Sequence, residues 1–181
     1  MKDLEPKPRA SGTHVLIRML ALLGICVGIG LAYHRLHRTP EQEALRQLVE
    51  VDFPKIRPTE SAIYERIDRL NRAPGLKPEE ARALLVDDVI PRLVRLRKQV
   101  EELPAPEPET QTLIKEYLQV TDQLVDACRT CVRIIDDPKL STADGMKTVR
   151  ERFDKVQKGY QDWNHHVAEA CARHRLAAPV N

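Results

Sequence analysis

Two cysteines three residues apart, Cys128 and Cys131, form the spacing in this sequence that most directly suggests chemistry. Such a pair can hold zinc, form a local disulfide, transfer electrons, or fill a core with two small side chains. Covalent haem attachment needs a histidine directly after the second cysteine, where this chain has Val132, so a c-type haem site is excluded. A thioredoxin-like centre needs its pair at the start of a helix, where the dipole stabilises a thiolate. Both cysteines fall in the second half of a predicted helix, which disfavours that chemistry.

A second pair, Cys171 and His174, adds a C-x-x-H that would complete a Cys3His zinc set with the first. An antiparallel arrangement of the last two helices opposes this set, because it places Cys171 about 30 Å along the helix from the level of Cys128. Only a break in the last helix, at Gly159, would bring the pairs together. We therefore expect buried thiols first, a Cys128 to Cys131 disulfide second and a metal site last. An oxidising compartment would favour the disulfide, and no cofactor is expected.

Histidines are the other residues able to bind a metal or move a proton, and they cluster near the end of the chain at His165, His166 and His174. His165 and Glu169 are four residues apart and so share one face of a helix. Di-iron bundles, however, take a Glu-x-x-His from each of two helices, and this sequence contains none. It also lacks the nucleophile elbow, the P-loop, H-E-x-x-H and G-x-G-x-x-G. The chain is therefore predicted not to be an enzyme.

The chain that positions these residues has the composition of a helical protein. Of its 181 residues, 42% are hydrophobic, 31% are charged and only 4% are aromatic, and helix-favouring residues dominate. The fold class is therefore predicted to be all-α. Residues 1–40 carry six Lys or Arg and two Asp or Glu, which leaves 23 basic against 25 acidic residues in 41–181. The one basic run, Arg92 to Lys98, has no interleaved aromatics, so a nucleic-acid partner is not expected.

A hydrophobic stretch of 19 residues, 15–33, follows a polar tail of residues 1–14. A bilayer core needs about 20 apolar residues, so this stretch is predicted to be a single transmembrane helix acting as an uncleaved signal anchor in the lipid bilayer. A cleaved signal peptide is the alternative, because small residues precede residue 33 where a peptidase would act. Gly24 and Gly28 form a G-x-x-x-G through which two such helices could pack.

The orientation of this anchor is set by a near tie between the basic residues on its two sides. We take the short N-terminal tail to be cytoplasmic. The C-terminal domain is then expected to be extracytoplasmic, as in a bacterial periplasm.

Helix-starting and helix-breaking residues divide residues 39–176 into four long helices, followed by a short tail at 177–181. Proline at the first helical position is expected to open three of them, at Pro40, Pro78 and Pro108. Ser141 with Asp144 is expected to cap the fourth helix. Internal prolines are expected to break or kink the first two helices, and these are Pro54, Pro58 and Pro91.

Apolar stripes on these helices predict an antiparallel four-helix bundle with coiled-coil-like packing. The stripe of the third helix consists of Ile114, Tyr117, Thr121, Leu124, Cys128, Cys131 and Ile135. The stripe of the fourth consists of Met146, Val149, Phe153, Val156, Tyr160, Trp163, Val167, Ala170 and His174. All of these side chains are predicted to face the core.

Three functions are compatible with a tethered helical bundle. The first is a non-enzymatic interaction, structural or assembly subunit that docks a protein partner along a bundle face or forms a homo-oligomer. The second is a metal-active or redox-active bundle that uses Cys128 and Cys131 with Cys171 and His174. The third is an extracytoplasmic bundle that senses a ligand. The first is the expected function, because neither a metal set nor an output domain is evident in the sequence.

Overall fold

A computed structural model describes residues 39–72, 75–137 and 139–177, and within these ranges the chain is helical with no strand. The prediction of an all-α fold with four long helices is confirmed. No helix within the same ranges is both long and apolar enough to cross a bilayer. The predicted anchor at 15–33, with its Gly24 and Gly28, lies outside the described residues, as does the polar tail before it.

The helices begin where the prolines predicted them to begin. Helix α1 consists of Pro40–Gln47, a π-helical turn Leu48–Asp52, and Phe53–Arg72. Helix α2 consists of Pro78–Ala83, a π-helical stretch Leu84–Val89, and Ile90–Glu101. Helix α3 is Pro108–Asp136 and helix α4 is Ala143–Arg173. A proline opens α1, α2 and α3, because its missing N–H would have no partner at that position in any case.

The predicted break of α1 at Pro54 and Pro58 is wrong, since the helix continues through both residues to Arg72. Immediately before Pro54, the Phe53 N–H bonds to the carbonyl of Leu48, five residues back. The helix thus accommodates a residue without an N–H by widening one turn, which shifts the hydrogen-bond register instead of ending the helix.

Helix α2 also contains a π-helical stretch just before its internal proline. The N–H of Ile90 bonds to the carbonyl of Leu85, again five residues back, and Pro91 follows. A π-helical stretch thus ends just before Pro91, and α2 continues through this proline to Glu101. The kink at Pro91 stays a prediction.

Helices α2, α3 and α4 run antiparallel to one another in succession, as ion pairs between them show. Along α3 and α4, Glu109 pairs with Arg173 at 2.6 Å, and Asp126 pairs with Arg152. The partner's number on α4 falls as the number on α3 rises, which requires opposite directions. The same order holds for α2 and α3, in the pairs Arg82 with Asp136 at 2.6 Å and Arg97 with Asp122 at 2.7 Å.

The core forms where the apolar faces of the four helices meet, but α4 contributes to it unevenly. From Val156 onward, the predicted stripe of α4 is buried or half-buried. Nearer the start of the helix, Val149 and Phe153 are only half-buried, and Met146 is 59% exposed. The prediction that the whole stripe faces the core is therefore wrong for the first turns of α4.

Two local motifs fix the ends of α4. Its N-cap is Thr142, whose hydroxyl accepts the Gly145 N–H at 3.2 Å, so the predicted cap at Ser141 is wrong by one residue. At the other end, the Leu176 N–H bonds to the Cys171 carbonyl at 2.8 Å, and Arg175 has a φ of 55°. This is a Schellman motif in which an arginine occupies the left-handed position that glycine usually fills.

Candidate functional site: an apolar cleft along α4

The exposed first half of α4 borders an open cleft of about 1060 Å³. The cleft lies toward the end of the bundle that carries the α1–α2 and α3–α4 connections, between α1 and α4. Its apolar lining comes from every helix: Tyr64, Ile67 and Leu70 of α1; Ala81 and Leu85 of α2; Leu124, Cys131, Ile134 and Ile135 of α3; and Ala143, Met146, Val149, Phe153, Val156 and Tyr160 of α4. A depression of this size and lining is typical of a binding site.

Among the residues that the structure describes, the polar ones that line the cleft all belong to α4. They follow one another at intervals of three and four residues, as Lys147, Arg150, Asp154, Gln157 and Gln161. This spacing places them on one face of the helix, next to the apolar stripe that faces into the cleft. The cleft therefore has an apolar floor and a single polar rim that runs along one side.

Five of the seven aromatic residues of the chain gather where α1 and α4 approach each other beside the cleft. The ring centroids of Tyr64 and Tyr160 lie 6.0 Å apart, and those of Phe53 and Trp163 lie 5.2 Å apart. Both pairs have the edge-to-face geometry that aromatic quadrupoles favour. This cluster joins α1 to α4 and closes one end of the cleft.

A single carboxylate lies at the centre of the aromatic cluster. The hydroxyl of Tyr117 donates to Glu60 at 2.7 Å, and the hydroxyl of Tyr160 donates to the same oxygen. Burial, followed by the negative charge of Glu60, raises the pKa of both tyrosines far above the ordinary value of 10. The hydroxyls therefore remain protonated and hold the helices together, and they are unsuited to proton transfer near neutral pH.

The C-x-x-C pair lies beside the cleft and not in a polar site. Cys128 is fully buried, whereas Cys131 is half-buried and lines the cleft; both are free thiols in this structure. Burial raises the pKa of Cys128 to about 12 and that of Cys131 to about 11. Nucleophilic and redox chemistry require the thiolate, which is scarce at neutral pH under these conditions.

The structure keeps the two halves of the hypothetical Cys3His set apart. Helix α4 is continuous through Gly159, so Cys171 lies near the Glu109 end of α3, on the order of 28 Å along the axis from Cys128. Within the described ranges, no group of three or more His, Cys, Asp or Glu side chains is arranged to hold a metal ion.

Each terminal histidine is paired with a different carboxylate. His165 lies 3.1 Å from Glu169, as the four-residue spacing predicted. The other two bond across to α3: His166 to Glu116 at 2.9 Å, and His174 to Glu109 at 2.7 Å. The Glu116 carboxylate raises the pKa of His166. His166 and His174 therefore join α4 to α3, whereas the His165 pair lies within α4 alone. Each histidine has a carboxylate of its own, and the three do not form a shared site.

Sequence reasoning did not find the cleft, although the predicted stripes of α3 and α4 contain eight of the residues that line it. The chain matches no protein-family model, and comparisons with curated proteins and with solved structures find no similar protein. The function is therefore inferred from the geometry of the cleft itself.

Proposed function

We propose that this chain is a membrane-tethered, non-enzymatic interaction or assembly subunit, and that a protein partner docks in the apolar cleft. The observation that carries the proposal is the open apolar cleft of about 1060 Å³ with Met146 59% exposed at its edge. An open depression of this volume with a mainly apolar lining is typical of a site that another molecule occupies.

Chemical features of the cleft support docking over catalysis. Its thiol has a raised pKa, the tyrosine hydroxyls beside it are held by Glu60, and its charged residues lie on one exposed rim. None of these groups is poised as a nucleophile or as a general base near neutral pH.

Attachment to a membrane is the second part of the proposal. It rests on the hydrophobic stretch 15–33, which has the length of a bilayer-spanning helix and would insert in the lipid bilayer. With a cytoplasmic N-terminus, the cleft would face an extracytoplasmic partner.

A ligand-sensing bundle is the second candidate function. The volume of the cleft favours it, because small-molecule sites usually measure about 300 to 1,000 Å³. The two candidates differ in their occupant and not in their site.

Partner capture with a matched pair of surface variants tests the proposal. Full chains carrying Met146→Glu or Val94→Glu would be purified in mild detergent from cells that naturally produce the protein, beside the unchanged chain. Both residues are exposed, by 59% and 47%, so neither change should disturb folding; Val94 lies on α2, away from the cleft.

The expected result is one protein that copurifies in fixed ratio with the unchanged chain and with Val94→Glu but is lost from Met146→Glu. A carboxylate at this edge of the cleft replaces apolar contact with a charge that docking would have to desolvate, which should weaken docking by about 1 to 3 kcal/mol. Equal capture by all three chains, or no stoichiometric partner at all, contradicts docking in the cleft.

A further inference from the structure

We infer that the occupant of the cleft is an amphipathic helix of a partner protein, about five turns long, with acidic side chains beside one end of its apolar face. This inference rests on the proposed function and specifies the kind of partner. Three features of the cleft carry it: its length, the position of its polar rim, and the charges on that rim.

Length is the first feature. The lining residues of α4 extend from Ala143 to Gln161, which corresponds to about 27 Å at the helical rise of 1.5 Å per residue. An incoming helix of about 18 residues spans the same distance. It would present apolar residues at intervals of three and four, which is how helices bind in apolar grooves.

The polar rim is the second feature. Because polar residues accompany the apolar floor along its whole length, from Lys147 to Gln161, the occupant must also be apolar on one side and polar on the other throughout. A fatty acid has a single polar end and would leave most of this rim unmatched. A helix lying lengthwise with its polar side toward water matches all of it.

Charge is the third feature. Near the start of α4, Arg150 forms no ion pair with any described residue, and Lys147 lies 3.9 Å from its neighbour Glu151. One turn further on, the rim carries Asp154, and then the neutral amides of Gln157 and Gln161. The cationic end of the rim therefore complements acidic side chains, which would fix the register of the incoming helix.

A second copy of the chain is a poorer occupant. A copy that docked through the same face of α4 would offer the cationic end of the rim a single rim carboxylate, Asp154, and the neutral amides of Gln157 and Gln161. This is poorer charge complementarity than a helix with several acidic side chains provides.

Calorimetric titration with two designed peptides tests the inference. Both peptides would have 18 residues and the same leucine face, but one would carry Glu and the other Lys at the flanking positions near one end. The full chain would be held in nanodiscs of zwitterionic lipid, with the heat from empty nanodiscs subtracted. The variants would be Lys147→Glu/Arg150→Glu, Met146→Glu and, as a control, Val94→Glu.

The expected result is that the Glu peptide binds the unchanged chain about tenfold more tightly than the Lys peptide, and that Lys147→Glu/Arg150→Glu reverses this preference. Met146→Glu should weaken the binding of both peptides, whereas Val94→Glu should leave both affinities unchanged. If the two peptides bind with equal affinity, both to the unchanged chain and to Lys147→Glu/Arg150→Glu, the partner is not acidic as inferred. Oleate would be titrated in parallel, with the heat from empty nanodiscs subtracted. Saturable binding of oleate with no binding of either peptide would overturn the proposal of a helix as the occupant.

The failure of this inference is distinguishable from failure of the proposed function. If Met146→Glu abolishes capture of the natural partner while the designed peptides do not bind, a partner docks in the cleft but not through an amphipathic helix. If Met146→Glu leaves capture unchanged, docking in the cleft is wrong and the inference falls with it.

Discussion

The carboxylate of Glu60 on α1 accepts a hydrogen bond from the hydroxyl of Tyr117 on α3 at 2.7 Å, and Tyr160 on α4 donates to the same oxygen. One side chain thereby connects three of the four helices at the closed end of the cleft. Hydrogen bonds to a charged acceptor in a mostly buried setting are among the stronger ones in proteins.

Removing the Tyr117 hydroxyl should destabilise the fold. The change Tyr117→Phe is expected to lower the free energy of unfolding by about 1.5 to 3 kcal/mol, because a bond to a charged group is lost. Urea denaturation followed by circular dichroism measures the loss. Tyr64→Phe is the control, since its ring contacts Tyr160 but its hydroxyl bonds to no described residue. Equal losses in the two variants would argue against a special role for Glu60.

Low pH should remove the contribution of the Asp88 carboxylate to the free energy of unfolding. Its carboxylate bonds to Arg92 and Arg66, and these bonds hold its pKa below the ordinary value of 3.8 although partial burial opposes the shift. Because the pKa is lower in the folded state, the carboxylate contributes its full stabilisation well above pH 3.8. This stabilisation declines as the pH falls below that value. The carboxylate is partly exposed and therefore screened.

We accordingly expect Asp88→Asn to cost about 0.5 to 1 kcal/mol in urea denaturation near pH 6, and close to nothing near pH 2.5. The measurement is the difference from the unchanged chain at the two pH values. A cost that stays constant with pH would show that the carboxylate contributes by packing and not by charge.

Gly145 should tolerate no side chain. A Cβ atom at this position would lie 2.0 Å from the carbonyl oxygen of Leu140, which is backbone and cannot rotate away. Gly145→Ala is therefore expected to destabilise the domain by more than about 2 kcal/mol, through distortion of the α3–α4 connection.

Gly159→Ala is the matched control for that change. Its Cβ would lie 3.1 Å from a methyl group of Val120, which can shift, and alanine is the better helix former by about 1 kcal/mol. A near-neutral effect is expected in thermal denaturation. If Gly145→Ala were the milder of the two, the close approach of the Leu140 carbonyl to position 145 would be wrong.

Replacing Arg175 should stabilise the end of α4. Its φ of 55° is costly for a residue with a side chain and free for glycine. Arg175→Gly should raise the free energy of unfolding by about 0.5 to 1 kcal/mol, which corresponds to a few degrees in Tm. Arg175→Ala keeps the strain and serves as the control. A gain with alanine as large as that with glycine would locate the effect in the lost charge.

Cys128 and Cys131 should differ in their contribution to stability, and neither should be needed for docking. Cys128→Ala removes a fully buried sulfur and is expected to cost about 1 to 2 kcal/mol, whereas Cys131→Ala, at the half-buried wall of the cleft, should cost less. Urea denaturation gives both values, and partner capture should persist in both variants. Loss of capture in a variant that remains folded would revive a chemical role for the pair.

Helix boundaries were the part of this fold most accessible from sequence. Pro40, Pro78 and Pro108 each open a helix, because proline at the first position is a local signal that tertiary packing does not override. The cap of α4 was misplaced by one residue, since Ser141 and Thr142 are both able to cap and only the chain path selects between them.

The π-helical turns were not signalled by the spacing of buried residues. Two successive steps of four occur in α2, at Leu85, Val89 and Leu93, but they also occur in α3, which is an uninterrupted α-helix. The local feature that the two widened turns share is an internal proline soon after the turn, Pro54 in α1 and Pro91 in α2.

The cleft was inaccessible from sequence for a different reason. Met146 and Val156 belong to one apolar stripe of α4, yet the first is 59% exposed and the second is buried. Periodicity states which face of a helix is apolar, but the distance to the facing helix decides whether that face is covered. Here that distance depends on α1 as much as on α4.

The aromatic cluster also makes the protein its own optical probe. Trp163 is the single tryptophan of the chain, its indole N–H donates to the Leu113 carbonyl at 3.0 Å, and its ring packs edge-on against Phe53. Its emission wavelength therefore depends on contact among α1, α3 and α4 at one place. Any separation of α1 from the other two would admit water and shift the emission to the red, so an unlabelled sample reports this movement directly.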